Sequence, residues 1–243
     1  MKLNCGGFLF LVFLIISAPK VSAQDSSLIQ AAASSALAFY YNYIGEEAHL
    51  YDGSEHAPYD FRIKGHPYFE TNLLQKGSVN YNDIAYSSID LAYDIVRDEL
   101  TTNRYKNNFR MSLFNDKIKS FSITGHFFVR IVQDTIQKSP LETGFYELLY
   151  DGKMKAYAKR RKIINEKVTA DEGDRLWFEE TDSYYVKRDE KFYRIKEKKD
   201  LFTLFKSQKK DLRKYLRKNK IRYKEQPGMT IIKSIEYIDH SIK

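Results

Sequence analysis

Cysteine is almost absent from the sequence. The only one among 243 residues is Cys5, which lies before the apolar run from Phe8 to Ile16. A lipoprotein cysteine would follow such a run, so we do not expect a lipid anchor. If Cys5 is removed with the leader that contains it, the remaining chain has no thiol. Disulfides, thiol catalysis and thiolate metal sites are then excluded, and stability depends on the hydrophobic core.

The motifs of several enzyme classes are also missing. The sequence has only 11 glycines and contains no glycine-rich phosphate loop. It has neither the G-x-S-x-G motif of serine hydrolases nor the H-E-x-x-H motif of zinc peptidases. Ser207–Lys210 matches S-x-x-K, but the accompanying S-D-N and K-T-G elements are absent. Such loose matches arise by chance in most chains, and we assign this one no role.

Long apolar runs are absent after the first residues. Met1-Lys2 is basic, Phe8–Ile16 is apolar, and Val21–Ala23 is a small-residue cleavage site. This order predicts a signal peptide over residues 1–23 and a periplasmic or extracellular location. The run is shorter than the roughly 20 residues that a spanning helix needs. No later stretch is apolar enough, so we do not expect the protein to span a membrane.

The segment 109–131 carries the clearest strand pattern. Its apolar residues alternate with polar ones on both sides of a predicted turn at Asn115-Asp116. The alternation predicts a long antiparallel hairpin with one buried and one solvated face. Ile118 is out of phase with Phe121, which predicts a bulge near Lys119-Ser120. The residues placed on the apolar face are Phe109, Met111, Leu113, Phe121, Ile123, Phe127, Val129 and Ile131.

Further strands are indicated on both sides of this segment. Asp151-Gly152 and Asp189-Glu190 predict hairpin turns, and Tyr81–Asp83 predicts another turn. Ile89–Leu100 fits either a helix or a strand. We favour a strand, because short strands and turns flank it.

The predicted fold class is α+β, with a predominantly antiparallel and curved β-sheet. We expect a signal peptide and then one β-rich domain over 24–243. An N-terminal helix spans 26–43, strands occupy about 78–196, and a basic helical segment follows over about 198–243. The strands could form one sheet or two. We favour one continuous sheet, since no flexible linker separates the two strand sets.

Two groups of residues have the chemistry of a metal or catalytic site. Asp90, Asp94 and Asp98 share a face in either a helix or a strand and could bind Ca²⁺, but a solvated face is the simpler interpretation. His66 and His126 each follow a glycine, and a histidine on a polar sheet face could act as a general base. A third pattern, Glu46-x-x-His49, occurs once, whereas di-iron bundles use it twice. We predict no metal site and no cofactor.

The excess of positive charge is confined to one segment. The formal charge of the chain is +8, yet residues 187–224 alone carry 17 basic and 5 acidic residues. On a helix beginning at Lys209, Leu212, Tyr215 and Leu216 would face inward and most charges outward. The predicted polyanion-binding residues are Lys209, Lys210, Arg213, Lys214, Arg217 and Lys218.

Export limits the partners that this charge could attract. Anionic lipid, lipopolysaccharide and acidic polysaccharide are the candidates, whereas nucleic acid is not expected outside the cytoplasm. The alternative interpretation is a solvated helix face that keeps the protein in solution.

Six short stretches have a familiar pattern: Leu50–Gly53, Gly65–Phe69, Gly77–Tyr81, Phe192–Ile195, Lys198–Leu201 and Lys209–Leu212. They are similar to segments of exported bacterial proteins of unknown function. The resemblance implies export but no catalytic residues, so it assigns none here.

The sequence favours a non-catalytic envelope protein that binds a ligand or partner. The alternative is a hydrolase acting on polysaccharide or lipid, with a carboxylate or His126 as its acid or base.

Overall fold

The structure is a computed structural model. It describes residues 53–103, 109–134, 139–168 and 175–241, together with Leu50 and six separate positions between 29 and 40. The expected signal peptide and most of the predicted N-terminal helix lie outside the described residues.

The described residues form strands followed by helices, in the order predicted from the sequence. The strands are β1 (Gly53–Glu55), β2 (Gln75–Tyr81), β3 (Ile84–Asp94), β4 (Glu99–Asn103), β5 (Arg110–Leu113), β6 (Ile118–Ile123), β7 (His126–Ile131), β8 (Gly144–Asp151), β9 (Lys155–Lys159), β10 (Lys162–Lys167), β11 (Arg175–Glu180), β12 (Ser183–Arg188) and β13 (Lys191–Ile195). The helices are α1 (Lys198–Leu204), α2 (Lys209–Lys218) and α3 (Pro227–Ser241).

Eleven of these strands belong to one antiparallel sheet, in the order β1-β5-β4-β3-β2-β6-β7-β8-β9-β12-β13. The preference for one continuous sheet is therefore confirmed. The expected curvature is wrong, because the sheet is open rather than curled and β1 and β13 are its edges. β10 and β11 pair only with each other and form a separate two-stranded ribbon.

Local turn chemistry determines several hairpins. The two-residue turns Asn82-Asp83, Thr124-Gly125 and Asp189-Glu190 have positive φ at both residues, the backbone that suits the twist of a tight hairpin. The predicted turns near 82 and 189 are therefore confirmed. The strand interpretation of Ile89–Leu100 is also confirmed, because β3 and β4 pair across a turn there.

The predicted bulge is confirmed, but the long hairpin is not. Tyr81 pairs with Ile118 and Asn80 pairs with Ser120, so Lys119 is the extra residue. However, β5 pairs with β4 and β1, whereas β6 pairs with β2 and β7. A short 3-10 turn at Asn115–Lys117 separates β5 from β6 and sends them to different places in the sheet.

The apolar phase of β7 also differs from the prediction. Ile123 pairs with His126 across the turn, so these two residues share a face. Because their positions differ by three, an odd number, the core-facing residues are odd-numbered at the end of β6 but even-numbered in β7. Phe128 is consequently 0% exposed, whereas Phe127 is 44% exposed.

Four rings form the centre of the larger core, which we call the aromatic core: Tyr93, Phe121, Phe128 and Phe145. Phe121 stacks on Phe128 with centroids 4.8 Å apart, and edge contacts join both rings to Tyr93. Phe145 packs edge-on against Phe121 at 5.2 Å. These contacts join β3, β6, β7 and β8.

A second core lies where the helices cover the other end of the sheet. Ala156, Val186 and Ile195 from β9, β12 and β13 pack there with apolar residues of α1, α2 and α3. The stretch Thr230–Ile238 belongs to α3, within the segment predicted to be helical. Among the described residues, no helix is both long and apolar enough to cross a bilayer.

The phase of β7 can be tested with a matched pair of variants. Phe128→Ala should lower the free energy of unfolding by about 3–5 kcal/mol, because it leaves a cavity in the aromatic core. Phe127→Ala should lower it by about 1 kcal/mol or less, because the ring is partly exposed. Urea denaturation followed by circular dichroism measures both. Equal losses, or a larger loss for Phe127→Ala, would contradict the assigned phase.

Candidate functional site

The six predicted polyanion-binding residues all lie on α2, and all six are exposed. We call Lys209, Lys210, Arg213, Lys214, Arg217 and Lys218 the cationic face. Asp211 is the only acidic residue of the helix. In the part of the chain that the structure describes, no carboxylate lies within ion-pair distance of a residue of the cationic face. Arg213 lies over the Phe202 ring at 5.3 Å.

The opposite side of α2 fixes the helix to the protein. Leu212 and Leu216 are 0% exposed, as the sequence predicted. Tyr215 stacks on Tyr237 of α3 with centroids 4.4 Å apart. Burial of each leucine contributes about 1.5–3 kcal/mol.

The cationic face forms two rows of like charges with a spacing of four residues. One row is Lys209, Arg213 and Arg217, and the other is Lys210, Lys214 and Lys218. Each like-charge pair at this spacing costs about 0.2–0.5 kcal/mol. The buried leucines outweigh this repulsion, so the core holds the charges together.

A second candidate site surrounds His126, the histidine considered as a base. Its Nδ1 lies 2.5 Å from Oε1 of Glu147, and its Nε2 lies 3.1 Å from Oε1 of Glu70. Nε of Arg160 donates to Oε2 of Glu147 at 2.6 Å, and the same guanidinium bonds to Asp182. The imidazole is 32% exposed, whereas the Glu147 side chain is 5% exposed.

This geometry suits an imidazole that donates a proton from both nitrogens. Carboxylate oxygens only accept hydrogen bonds, and one of them faces each nitrogen of His126. Nδ1 therefore bonds to Glu147, and Nε2 lies beside the carboxylate of Glu70. Neither of the described cavities of about 630 and 670 Å³ is lined by His126.

The three aspartates considered for Ca²⁺ are not brought together. Asp90 forms an exposed ion pair with Lys76 at 2.9 Å. Asp94 is 0% exposed and accepts a hydrogen bond from Tyr59. Asp98 lies beyond the end of β3 in a left-handed turn and pairs with Lys159 at 2.6 Å. The turn breaks the periodicity that had placed all three on one face.

One buried cluster has the residue types of a catalytic triad. Nδ1 of His56 lies 2.9 Å from Oγ of Ser112, and its Nε2 lies 3.5 Å from Oδ2 of Asp94. The hydroxyl of Ser112 also lies 2.7 Å from Oε2 of Glu99, and that of Tyr68 lies 3.2 Å from Nε2. His56 and Ser112 are 7% and 4% exposed.

The order of the protons in this cluster does not match that of a nucleophilic triad. Ser112 has one hydroxyl proton and donates it to Glu99, so it accepts from Nδ1–H of His56. Nε2 then accepts from Tyr68. A triad needs the opposite arrangement, in which the serine donates to an unprotonated imidazole nitrogen. Each proton of the chain Tyr68–His56–Ser112–Glu99 has one acceptor, and the cluster is structural.

The remaining candidates do not form a metal site. Within the described ranges, no group of three or more His, Cys, Asp or Glu side chains is arranged to hold a metal ion. His66 stacks on Tyr68, and burial lowers its pKa. Glu46 and His49 lie outside the described residues. The hydroxyl of Ser207 in the S-x-x-K match bonds to Gln208.

Sequence reasoning missed the partners of His126. Glu70, Glu147 and Arg160 are far apart in the sequence. Glu147 and Arg160 meet through the pairing of β7, β8 and β9, and Glu70 approaches from the segment before β2. One signal was present, because Lys159–Lys162 is a run of four cations. Strand alternation divides this run. Arg160 points to Glu147 and Asp182, whereas Lys159 points to Asp98.

The buried histidine makes stability depend on pH. Burial lowers the pKa of His56 below its ordinary 6.5, despite the opposing effects of Asp94 and Glu99. The unfolded chain therefore takes up a proton first as the pH falls. The free energy of unfolding should decrease below about pH 6.5 and level off once folded His56 is protonated. The pKa of His66 is also lowered by burial, so its contribution has the same sign.

The variant His56→Asn keeps a donor near Ser112 but does not titrate. Urea unfolding from about pH 7.5 to 5.5 should show a weaker pH dependence in this variant than in the unsubstituted chain. His240→Asn, at an exposed residue of α3, is the matched control and should keep the full dependence. An unchanged slope in His56→Asn would show that His56 is not the titrating group.

No family model matches the chain, and no curated protein or solved structure matches it. The cationic face is therefore the basis of the function proposed below.

Proposed function

We propose that this chain is an exported envelope protein that binds a polyanion through the cationic face of α2. The observation that carries the proposal is the double row of six exposed cations beside one acidic residue. The signal-peptide pattern over residues 1–23 supports export. Outside the cytoplasm, anionic lipid head groups, lipopolysaccharide and acidic polysaccharide are the available polyanions.

Contact with the polyanion is electrostatic, because the apolar side of α2 is not free. Amphipathic helices that lie in a bilayer bury their apolar face among the lipids. In α2 that face is occupied, since Leu212 and Leu216 are buried against the protein. The attraction therefore depends on charge alone and weakens as salt shortens the screening length, to about 8 Å at physiological ionic strength.

Spacing also favours an extended partner. Successive charges in each row are four residues apart, which is about 6 Å along the helix axis. A single small anion would contact one or two of them. A polymer or a head-group surface, with several negative charges in reach, can contact both rows together and gains from their summed potential.

Replacing the cationic face tests this proposal. The variant with all six residues changed to Gln should elute from a heparin column without retention at about 0.15 M salt, whereas the unsubstituted chain is retained and elutes as salt rises. Its sedimentation with vesicles that contain about one-third anionic lipid should also decrease.

A matched variant separates position from net charge. It should be retained on heparin like the unsubstituted chain. The six residues changed to Gln are exposed lysines outside α2: Lys64, Lys76, Lys119, Lys167, Lys191 and Lys196. If both variants lose retention equally, net charge rather than α2 is responsible. If neither loses it, the cationic face does not bind polyanions.

A hydrolase is the second candidate function. The observation in its favour is that His126 is one-third exposed between two carboxylates, Glu70 and Glu147. In this candidate function His126 or one of the two carboxylates acts as the acid or base. Reducing-sugar and ester-release assays on polysaccharide and lipid substrates should show no turnover by the unsubstituted chain. Turnover that disappears in Glu147→Gln would favour the hydrolase instead.

A further inference from the structure

A cavity of about 630 Å³ lies at the point where the β10–β11 ribbon leaves the main sheet. The β3–β4 turn (Ile95–Asp98) forms one wall, and the β9–β10 junction (Lys159–Ile164) forms another. Asn115 and Thr143 complete the lining. The volume is within the range of small-molecule sites. α2 contributes no residue to this cavity, so it is separate from the cationic face.

The lining is strongly cationic. Arg97, Lys159, Arg161 and Lys162 line the cavity, and Asp98 is the only carboxylate among the lining residues. The side chains of Lys159 and Lys162 are 8% and 9% exposed. Buried ammonium groups are uncommon and need close acceptors.

Protein acceptors hold the two lysines in place but leave one donor free. Nζ of Lys159 bonds to Asp98 at 2.6 Å and to the carbonyl oxygen of Phe145 at 3.1 Å. Nζ of Lys162 donates to the carbonyl oxygens of Tyr68 and His66. An ammonium group has three donors. Lys159 therefore retains one for a ligand, whereas the third donor of Lys162 faces Glu180 and Lys162 contributes its charge.

The charge balance around the lysines is incomplete. Burial lowers the pKa of both Lys159 and Lys162, although Asp98 and Glu180 act in the opposite direction. Glu180 lies 3.7 Å from Lys162, and Glu142 accepts a bond from the exposed Arg161. Burial disfavours the charged form of both lysines, and an anion inside the cavity would stabilise that charged form.

The backbone is fitted closely around the charged pair. A methyl group on Gly144 would collide with both Asp98 and Lys159, so only glycine leaves room for this ion pair. Asp98 adopts a left-handed conformation, and its carbonyl oxygen accepts a bond from Nδ2 of Asn115.

Asn115 provides a second, different requirement. Its Oδ1 is buried and accepts no hydrogen bond from the described residues. A buried acceptor without a donor costs about 1–3 kcal/mol. The cations of the cavity require an acceptor, whereas Asn115 requires a donor. A ligand that carries both an oxyanion and hydroxyl groups satisfies the two together.

We propose that this cavity binds a small acidic sugar, with its oxyanion against Lys159, Arg161 and Lys162 and a hydroxyl group bonded to Asn115. The oxyanion can be the carboxylate of a uronic acid or the phosphate of a sugar phosphate. Both present planar or branched acceptor oxygens to guanidinium and ammonium donors.

Calorimetric titration of the full chain with galacturonate, glucose 6-phosphate and glucose tests the site. Binding of either acidic sugar, with none of glucose, is the expected result. Galacturonate alone would assign a carboxylate ligand, and glucose 6-phosphate alone would assign a phosphate ligand. No binding of either up to about 10 mM would overturn the proposal.

Two variants assign the binding to this cavity. Arg161→Gln should weaken binding at least about tenfold, since a charged hydrogen bond is lost. Arg194→Gln, at an exposed arginine of β13, is the matched control and should leave it unchanged. Equal affinity in Arg161→Gln and the unsubstituted chain would place the ligand elsewhere and overturn the proposal.

Asn115→Ala tests the hydroxyl contact. It should weaken binding of the acidic sugars but leave binding of acetate unchanged, because ionised acetate has no hydroxyl group to donate. If acetate binds as tightly as the sugars, the hydroxyl contact is wrong. The variant with six substitutions on α2 should bind the sugars normally, so failure of the cationic-face proposal is distinguishable from failure of this one.

Discussion

The packing of four rings across the sheet is the constraint on which the other features depend. Tyr93, Phe121, Phe128 and Phe145 come from four strands, and their contacts tie the first strand set to the second. The hydroxyl of Tyr93 reaches out of this core to Asp98 at 2.5 Å. Asp98 in turn holds Lys159. The position of the core therefore determines the position of the cationic cavity at its rim.

Several buried polar groups of this protein are linked in networks of hydrogen bonds and ion pairs. Glu147 lies between His126 and Arg160, and Arg160 continues to Asp182. Removing one member of such a buried network leaves a charge without compensation, at a cost of about 3–5 kcal/mol. The networks thus require one strand register, because a slip of one residue would separate the partners. Their residue types suggest catalysis, but their proton order indicates a structural role.

Local features of the fold were predictable, and strand partners were not. Asn82-Asp83, Asp189-Glu190 and the extra residue Lys119 depend on neighbours in the sequence, and the sequence identified them. Alternation identifies the faces of a strand but not the strand beside it, so β5 and β6 were wrongly paired. The cationic face was found because its spacing lies within one helix. The residues that line the cavity were missed because they come from β9, β10 and the turns and loops between strands.

The open sheet leaves two edges whose backbone groups could join another chain. At one edge, β1 has only three residues, and its Gly53 packs so closely on Ser112 that a side chain has no room there. At the other edge, β13 presents the exposed Lys191 and Arg194. Short length and repelling charge are the two features that oppose strand addition between molecules. In this way both edge strands of a large sheet without disulfide bonds oppose the strand addition that leads to aggregation.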